Sequence, residues 1–158
     1  MMKNVTAIFA LSLLVAIAAA CSGSFSTASV SELKFGKNNK ADPATTSFNT
    51  GEDIYALATV SNVPEGKYQL TWKITYDNVQ GKSKGAEVGT NTVDFEGSKQ
   101  LWQSFSSPLP GEYGVEATLS DAEGKKIDSK SGKLTIKGST PTAPSAEDKK
   151  KADTDDSH

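Results

Sequence analysis

The chain has 158 residues, and its 17 basic residues, all of them lysines, nearly balance 19 acidic ones. It contains no arginine, a single histidine at the last position, His158, and a single cysteine, Cys21. This inventory excludes a disulfide within the chain, a structural zinc site with about four cysteine or histidine ligands, and catalysis by a histidine base inside the body of the chain. The near-neutral charge and the missing arginine also predict no nucleic-acid partner.

The N-terminal segment, residues 1–20, has the pattern of a secretory signal peptide. Lys3 precedes a nearly unbroken apolar run from Val5 to Ala20, which is short for a membrane span but suits the apolar region of a signal peptide. The run ends in small residues directly before Cys21. This segment resembles the lipobox of bacterial lipoproteins, in which the cysteine becomes the lipidated first residue of the mature protein. It departs from that pattern at Ala18, where leucine is usual.

The lipobox resemblance implies a lipid anchor on Cys21. A diacylglycerol on the sulfur and an acyl chain, such as palmitate, on the amino group would together anchor the protein stably. In a Gram-negative cell, Ser22 after the cysteine implies the outer rather than the inner membrane. The alternative is ordinary signal-peptidase cleavage after Ala20, which would leave Cys21 as a free thiol without a partner. The resemblance therefore predicts a lipoprotein of the bacterial cell envelope.

Composition divides the rest of the chain into a tether, one domain and a tail. Residues 21–29 hold the cysteine and a small, polar stretch that predicts a flexible tether. Residues 30–138 are long enough for one domain with a single core and no disulfide. Residues 139–158 contain no apolar side chain larger than alanine, and their lysine run is surrounded by acids. We expect this tail to be disordered and solvated rather than a binding element.

Within the domain, hydrophobic residues recur with a period of two, as in strands with one buried face. Four segments show this clearly: 54–61, 70–76, 113–120 and 133–137. Three weaker ones are Val30–Phe35, Glu87–Phe95 and Gln100–Phe105. Turn sequences containing glycine or proline separate most of them, and no segment has a helical period. The pattern predicts an all-β fold, a single antiparallel β-sandwich of about seven strands.

The domain resembles the immunoglobulin-like fold. Trp72 lies in the middle of the third strand, where that fold places its core tryptophan, and Tyr113 matches the tyrosine corner that opens the sixth. Val115 stands where antibody domains have their second cysteine, and Ala56 or Ala58 stands at the first. Because both cysteines are missing, the resemblance is to fibronectin type III-like and bacterial Ig-like sandwiches. It implies that Trp72, Tyr113 and Val115 belong to the core.

Few residues suggest chemistry. Gly81-Lys82-Ser83 matches only the end of a phosphate-binding loop, because Tyr76 stands where that motif requires its first glycine. Asp121, Glu123 and Asp128 could offer oxygens to Ca²⁺, but carboxylates around a glycine turn are also common solvent-facing groups. A carboxylate pair of the glycosidase type depends on spatial separation, which the sequence does not specify. We assign no catalytic residue, metal ligand or cofactor.

Trp102 is the best candidate for a contact residue. It has the opposite phase to Leu101 and Phe105, so that with those two inward it would be at least partly exposed, beside Tyr55 or Tyr68. A bulge in the strand would shift the phase and bury it instead. Exposed aromatic side chains are typical anchors of binding surfaces. Trp102, Tyr55 and Tyr68 are therefore the predicted binding residues.

Three functions are compatible with these features. The first is a non-enzymatic lipoprotein that binds a protein or glycan partner through its Ig-like domain. The second is a structural or assembly subunit of an envelope complex, in which a partner strand pairs with an edge strand. The third is a small hydrolase that uses only Asp and Glu. An exposed aromatic cluster, a long edge strand without Lys or Pro, and a facing carboxylate pair, respectively, would favour them.

Overall fold

A computed structural model of the protein describes residues 27–139. The signal peptide, Cys21, most of the tether and residues 140–158 of the tail lie outside the described residues. Eight strands make up the described part, which contains no helix. They are β1 (Ser29–Gly36), β2 (Ser47–Asn49), β3 (Ile54–Ser61), β4 (Lys67–Val79), β5 (Glu87–Glu96), β6 (Lys99–Phe105), β7 (Gly111–Asp121) and β8 (Lys126–Lys137).

The strands form two sheets that pack face to face. One sheet has the order β1-β3-β6, and the other has the order β2-β8-β7-β4-β5. The protein is thus an all-β, immunoglobulin-like sandwich, as the sequence predicts. One strand was not predicted: β2 has three residues and pairs in parallel with β8, from Ser47 opposite Thr135 to Asn49 opposite Lys137. Three residues are too few to display a period of two.

The core lies between the sheets and is built from the inward phase of each strand. Ile54, Ala56, Ala58 and Val60 of β3 are all buried, as the alternation predicts. Leu57 has the outward phase but is also buried, with 4% of its surface exposed. It lies in register between neighbours on both adjacent strands, and this lateral cover removes it from water. The largest fully buried side chains are Trp72, Tyr113, Phe48, Ile54 and Leu70.

The connection between β6 and β7 is a tyrosine corner. The hydroxyl of Tyr113 donates to the carbonyl oxygen of Leu109 at 2.8 Å and shares a hydrogen bond of 2.7 Å with Ser107. The Ser107 hydroxyl in turn accepts from the Leu109 amide at 3.1 Å. Tyr113 and Ser107 are both buried, and burial raises the pKa of the Tyr113 hydroxyl. These bonds fix the loop that leads into the central strand β7.

One lateral side of the sandwich is closed by β1, which packs against β8 of the other sheet. The Val30 amide donates to the Asp128 carboxylate at 2.8 Å, which ties the two strands together. Further along, the Phe35 ring packs over Gly132, where an added Cβ would lie 2.8 Å from the ring. Glycine at this position therefore allows the two strands to approach. The opposite side, between β5 and β6, has no such covering strand among residues 27–139.

Candidate binding surface

The outer face of the three-stranded sheet carries Trp102. Its strand neighbours Leu101 and Phe105 pack against the core, so alternation turns Trp102 toward solvent. Its exposed fraction is 48%, and within residues 27–139 it is the only large hydrophobic side chain that is exposed. In register it lies directly opposite Leu57 of β3. The β6 strand pairs with β3 without a bulge, which decides the question that the sequence left open.

Trp102 forms an aromatic pair with Tyr55. The ring centroids are 5.6 Å apart and the planes are inclined by 55°, a tilted arrangement within the range of favourable aromatic contacts. Tyr55 is two residues away from Leu57 along β3, so it is the diagonal neighbour of Trp102 across the strand pair. Both rings lie on the same outer face. We refer to Trp102 and Tyr55, with the side chains around them, as the aromatic surface.

On β3 and β6, uncharged polar side chains flank the two rings, and on β1 the ion pair of Lys34 with Glu32 lies on the same face. Thr59 and Gln100 are cross-strand partners on the same face, and the Gln100 amide donates to the Thr59 hydroxyl at 3.5 Å. Ser104 is the cross-strand partner of Tyr55. The surface is therefore a small aromatic platform with hydroxyl and amide groups at its margin. Such a set can stack on a flat apolar group and hydrogen-bond its polar edges.

Tyr68 does not belong to the aromatic surface, contrary to its grouping with Trp102 in the sequence analysis. It lies on β4 of the five-stranded sheet, in phase with the buried Leu70 and Trp72. Its ring is half-buried against the core and packs on Phe95, with centroids 6.1 Å apart. Because Tyr68 lies on the inward face of the five-stranded sheet, its ring is between the two sheets. Of the three predicted binding residues, the structure therefore brings together only Trp102 and Tyr55.

Two of the three carboxylates singled out around the β7–β8 turn, those of Asp121 and Asp128, bind backbone groups. Asp121 Oδ1 accepts from the amides of Glu123 and Lys125, at 3.0 and 2.8 Å, and so shapes the turn. Asp128 accepts from Val30 on β1. Within the part of the chain that the structure describes, no group of three or more Asp, Glu, His or Cys side chains could hold a metal ion.

The segment with the phosphate-loop-like sequence is the turn between β4 and β5. Gly81 and Gly85 have positive φ angles of 74° and 81°, which the turn requires. Lys84 binds Asp77 at 2.9 Å, and the same carboxylate binds Lys133 of β8 at 2.6 Å. Its hydrogen bond with Lys133, followed by that with Lys84, lowers the pKa of Asp77. No helix follows the turn, so it lacks the geometry of a nucleotide site.

A groove of about 370 Å³ opens between the edges of β5 and β6, on the uncovered side of the sandwich. The side chains of Asn91 and Gln103 meet across it in a hydrogen bond of 2.6 Å. Trp72 lies at its floor, and the indole nitrogen of that residue is buried without a hydrogen-bond partner. None of the residues predicted from the sequence to bind a partner lines this groove. The feature of the sequence that could have indicated it is Gly89, a glycine inside a predicted strand, where a side chain is usual.

Comparisons with known proteins found similar solved structures but no matching sequence family. Neither a protein-family model nor a curated protein matches the sequence. The C-terminal domain of wzt is similar over 71% of this chain and 74% of its own, with 14% identity and a TM-score of 0.49.

Two further solved structures are similar over 68% of this chain. The β-glucosidase from Listeria innocua has 16% identity and a TM-score of 0.40, and this chain spans 16% of it. The sporulation control protein from Bacillus subtilis has 13% identity and a TM-score of 0.39, and this chain spans 50% of it. All three TM-scores are below 0.5, and these similarities carry no information about function.

The described residues can contact a partner through aromatic and uncharged polar side chains. The aromatic surface supplies two rings and three uncharged polar side chains, and the groove is lined by uncharged residues alone. The acidic groups with defined contacts are held by lysines or by backbone amides, as Asp77, Glu52 and Asp121 illustrate. Between residues 27 and 139 the structure holds no helix with the length and apolarity needed to cross a bilayer.

Proposed function

We propose that the protein is a non-catalytic lipoprotein of the bacterial cell envelope. In this proposal the lipid on Cys21 holds the chain at a membrane, the outer membrane in a Gram-negative cell. The Ig-like domain then binds a protein or glycan partner through the aromatic surface. The observation that carries the binding role is the exposure of Trp102, at 48%, beside Tyr55. Tryptophan and tyrosine are the residues that most often contribute the binding energy of protein interfaces.

Capture of partners from a cell-envelope extract tests the binding role. The full chain is purified in detergent, and the partners that it retains are compared with those retained by the Trp102→Ala and Tyr55→Ala variants. We expect retention of the specific partner to fall about tenfold or more in Trp102→Ala, as for an interface anchor, and less in Tyr55→Ala. Thr92→Ala, on the exposed face of the other sheet, is the matched control and should bind as the wild type does. Equal capture by all four proteins would refute this surface as the binding site.

Detergent partitioning tests the lipid anchor. In a detergent solution that separates into two phases on warming, we expect the protein to enter the detergent-rich phase as a mature, lipidated chain. The Cys21→Ala variant cannot carry the thioether, and it should accumulate as the unprocessed precursor. Mass spectrometry of the N-terminal peptide distinguishes the two forms. A wild-type N-terminal peptide with an unmodified thiol would show that ordinary signal-peptidase cleavage occurs instead.

A second candidate function is that of an assembly subunit whose edge strand pairs with a partner. The observation that favours it is β5, an edge strand of ten residues that contains neither lysine nor proline. Natural sheets usually block such edges with those residues. Replacement of successive β5 residues by proline tests this function, because proline removes the backbone donor that pairing requires. Assembly that survives at every position where the domain still folds would exclude it.

The hydrolase hypothesis lacks a comparable observation. It requires two carboxylates that face each other about 5–10 Å apart in a concave site. The groove between β5 and β6 is concave, but its lining includes no carboxylate. The acidic side chains with defined contacts are occupied by the lysines and amides described above.

A further inference from the structure

The pairing of β5 with β4 is regular from Gly89 to Glu96, whereas a bulge leaves Val88 without a partner on β4. The strand pairs with β4 on one side, and no strand among residues 27–139 pairs with its other side. Alternate residues of such a strand direct their N–H and C=O groups toward the free side. A second polypeptide segment could satisfy those groups by adding to the sheet. The groove lies directly beside this edge.

The register of β5 with β4 shows which residues face the groove. Gly89 lies opposite Ile74 and Asn91 lies opposite Trp72. Because directly opposed residues share a face and Ile74 and Trp72 point into the core, Gly89 and Asn91 also face inward. A Cβ added to Gly89 would meet no atom within 4 Å, and the φ of this residue is not in the positive region. A gap therefore exists where a side chain of β5 would ordinarily cover the core.

The floor of the groove holds a hydrogen-bond donor without an acceptor. Trp72 is 1% exposed, and no atom of the described residues accepts a hydrogen bond from its Nε1. Buried donors of this kind are rare because the lost hydrogen bond to water is not replaced. The Trp72 ring is also part of the groove lining, so an occupant of the groove would contact this ring. Asn91 and Gln103, which span the groove, offer further polar contacts.

The distribution of charge around the groove indicates the charge distribution of a bound segment. All of the lining residues are uncharged: Trp72, Ile74, Val88, Gly89, Thr90, Asn91, Gln103, Ser104, Phe105 and Ser106. The edge strand itself carries three acids and no base, and the acids lie near its two ends, at Glu87, Asp94 and Glu96. A complementary strand would therefore be uncharged at its centre and basic at its flanks.

We propose that the groove between β5 and β6 binds an extended peptide segment of a partner protein, uncharged at its centre and flanked by basic residues, as an added strand on β5. One side chain of the segment fills the gap above Ile74 left by Gly89 and contacts the Trp72 ring. This inference rests on the second candidate function, edge-strand pairing, and names its site and ligand. The groove shares only Ser104 with the aromatic surface.

Selection from a displayed library of random nonapeptides against the detergent-purified full chain tests the proposal. The enriched peptides should alternate apolar or small residues in their centre and carry Lys or Arg near their ends. Gly89→Leu fills the gap and should weaken the binding of these peptides at least about tenfold. Gly89→Ala should produce a smaller loss. Thr92→Leu adds the same side chain to the exposed face of β5, outside the groove lining, and should change the affinity less than about twofold.

The side-chain N–H signals of tryptophan provide a direct measure of the contact. The chain contains two tryptophans, so two indole N–H resonances are expected in a ¹⁵N-labelled sample, and the Trp102→Phe variant assigns them. Binding of an enriched peptide should shift the Trp72 resonance and slow its exchange with solvent, whereas the Trp102 resonance should stay in place. Thermal unfolding of each variant establishes that it is folded.

Two results would overturn the proposal. One is a set of enriched peptides that bind Gly89→Leu as tightly as they bind the wild type. The other is a shift of the Trp102 resonance without a shift of Trp72, which would place the peptides on the aromatic surface. Failure of edge pairing as such has a different signature: no peptide is enriched, and proline substitutions in β5 leave assembly intact. Trp102→Ala should leave peptide binding to the groove unchanged.

Discussion

The hydroxyl of Tyr113, at the start of β7, donates a hydrogen bond of 2.8 Å to the carbonyl oxygen of Leu109, four residues earlier. This bond and the contact of the same hydroxyl with Ser107 close the loop over one end of the core. The Tyr113 side chain is completely buried. The loop therefore depends on a single hydroxyl group that water cannot replace.

Tyr113→Phe should destabilise the domain by about 1–3 kcal/mol, because it leaves the partly buried Leu109 carbonyl and the buried Ser107 hydroxyl without that partner. Urea unfolding followed by fluorescence measures the change. Tyr55→Phe is the control, because Tyr55 is half-buried and its hydroxyl makes no hydrogen bond within residues 27–139. This variant should change the stability by less than about 0.5 kcal/mol. Equal stability of the two variants would mean that the corner hydrogen bonds contribute nothing.

The raised pKa of Tyr113 predicts a loss of stability at alkaline pH. The ordinary pKa of a tyrosine hydroxyl is 10.0, and the unfolded chain loses this proton near that pH. In the folded state, burial raises the pKa, so the Tyr113 hydroxyl stays protonated to a higher pH. The unfolded state then binds fewer protons, so the free energy of unfolding falls as the pH rises above about 10. In Tyr113→Phe this part of the decline should be absent. An identical alkaline slope in both proteins would contradict the assignment.

The lowered pKa of Asp77 predicts a loss of stability at acidic pH. Hydrogen bonds from Lys133 and Lys84 lower its pKa below the ordinary value of 3.8, so the unfolded chain takes up this proton first as the pH falls. The stabilisation is complete above that value and is lost as the pH falls through the folded-state pKa. Asp77→Asn should reduce the acid slope of the free energy of unfolding. An acid slope that is the same in Asp77→Asn and in the wild type would contradict this role of Asp77.

Two glycines that face different neighbours should respond differently to the same added methyl group. Gly132→Ala places a Cβ 2.8 Å from the buried Phe35 ring and should cost about 1–3 kcal/mol. Gly89→Ala places a Cβ in open space and should stabilise the domain by about 0.4–1 kcal/mol, because it restricts the unfolded chain. Urea unfolding of both variants checks this pair. Destabilisation by Gly89→Ala would show that the groove is not open as described.

The two tryptophans should differ sharply in their contributions to stability. Trp72→Ala removes a fully buried side chain and should cost about 3–5 kcal/mol. Trp102→Ala removes a side chain that is 48% exposed and should cost about 1 kcal/mol or less. Thermal unfolding separates the two cases. A Trp102→Ala variant that is folded and stable is also what makes a loss of partner capture interpretable as a loss of contact.

The sequence by itself determined the strands and the class of fold. Alternation along Ile54–Val60 and along the β7 segment is a local property, because a strand exposes successive side chains to opposite faces. The positions of Trp72 and Tyr113 in those patterns were enough to indicate an Ig-like sandwich. The short β2 strand was missed because its pairing with β8 is parallel and distant in sequence, and three residues display no period.

The tertiary structure alone decided which faces are free. Trp102 is exposed because β6 pairs with β3 in unbroken register, and Tyr68 is turned inward because β4 belongs to the other sheet. The groove exists because Gly89 and Asn91 lie opposite Ile74 and Trp72, a register between strands that no single segment encodes. Binding surfaces of a sandwich depend on such pairings between distant strands, whereas the period of each strand is set within its own few residues.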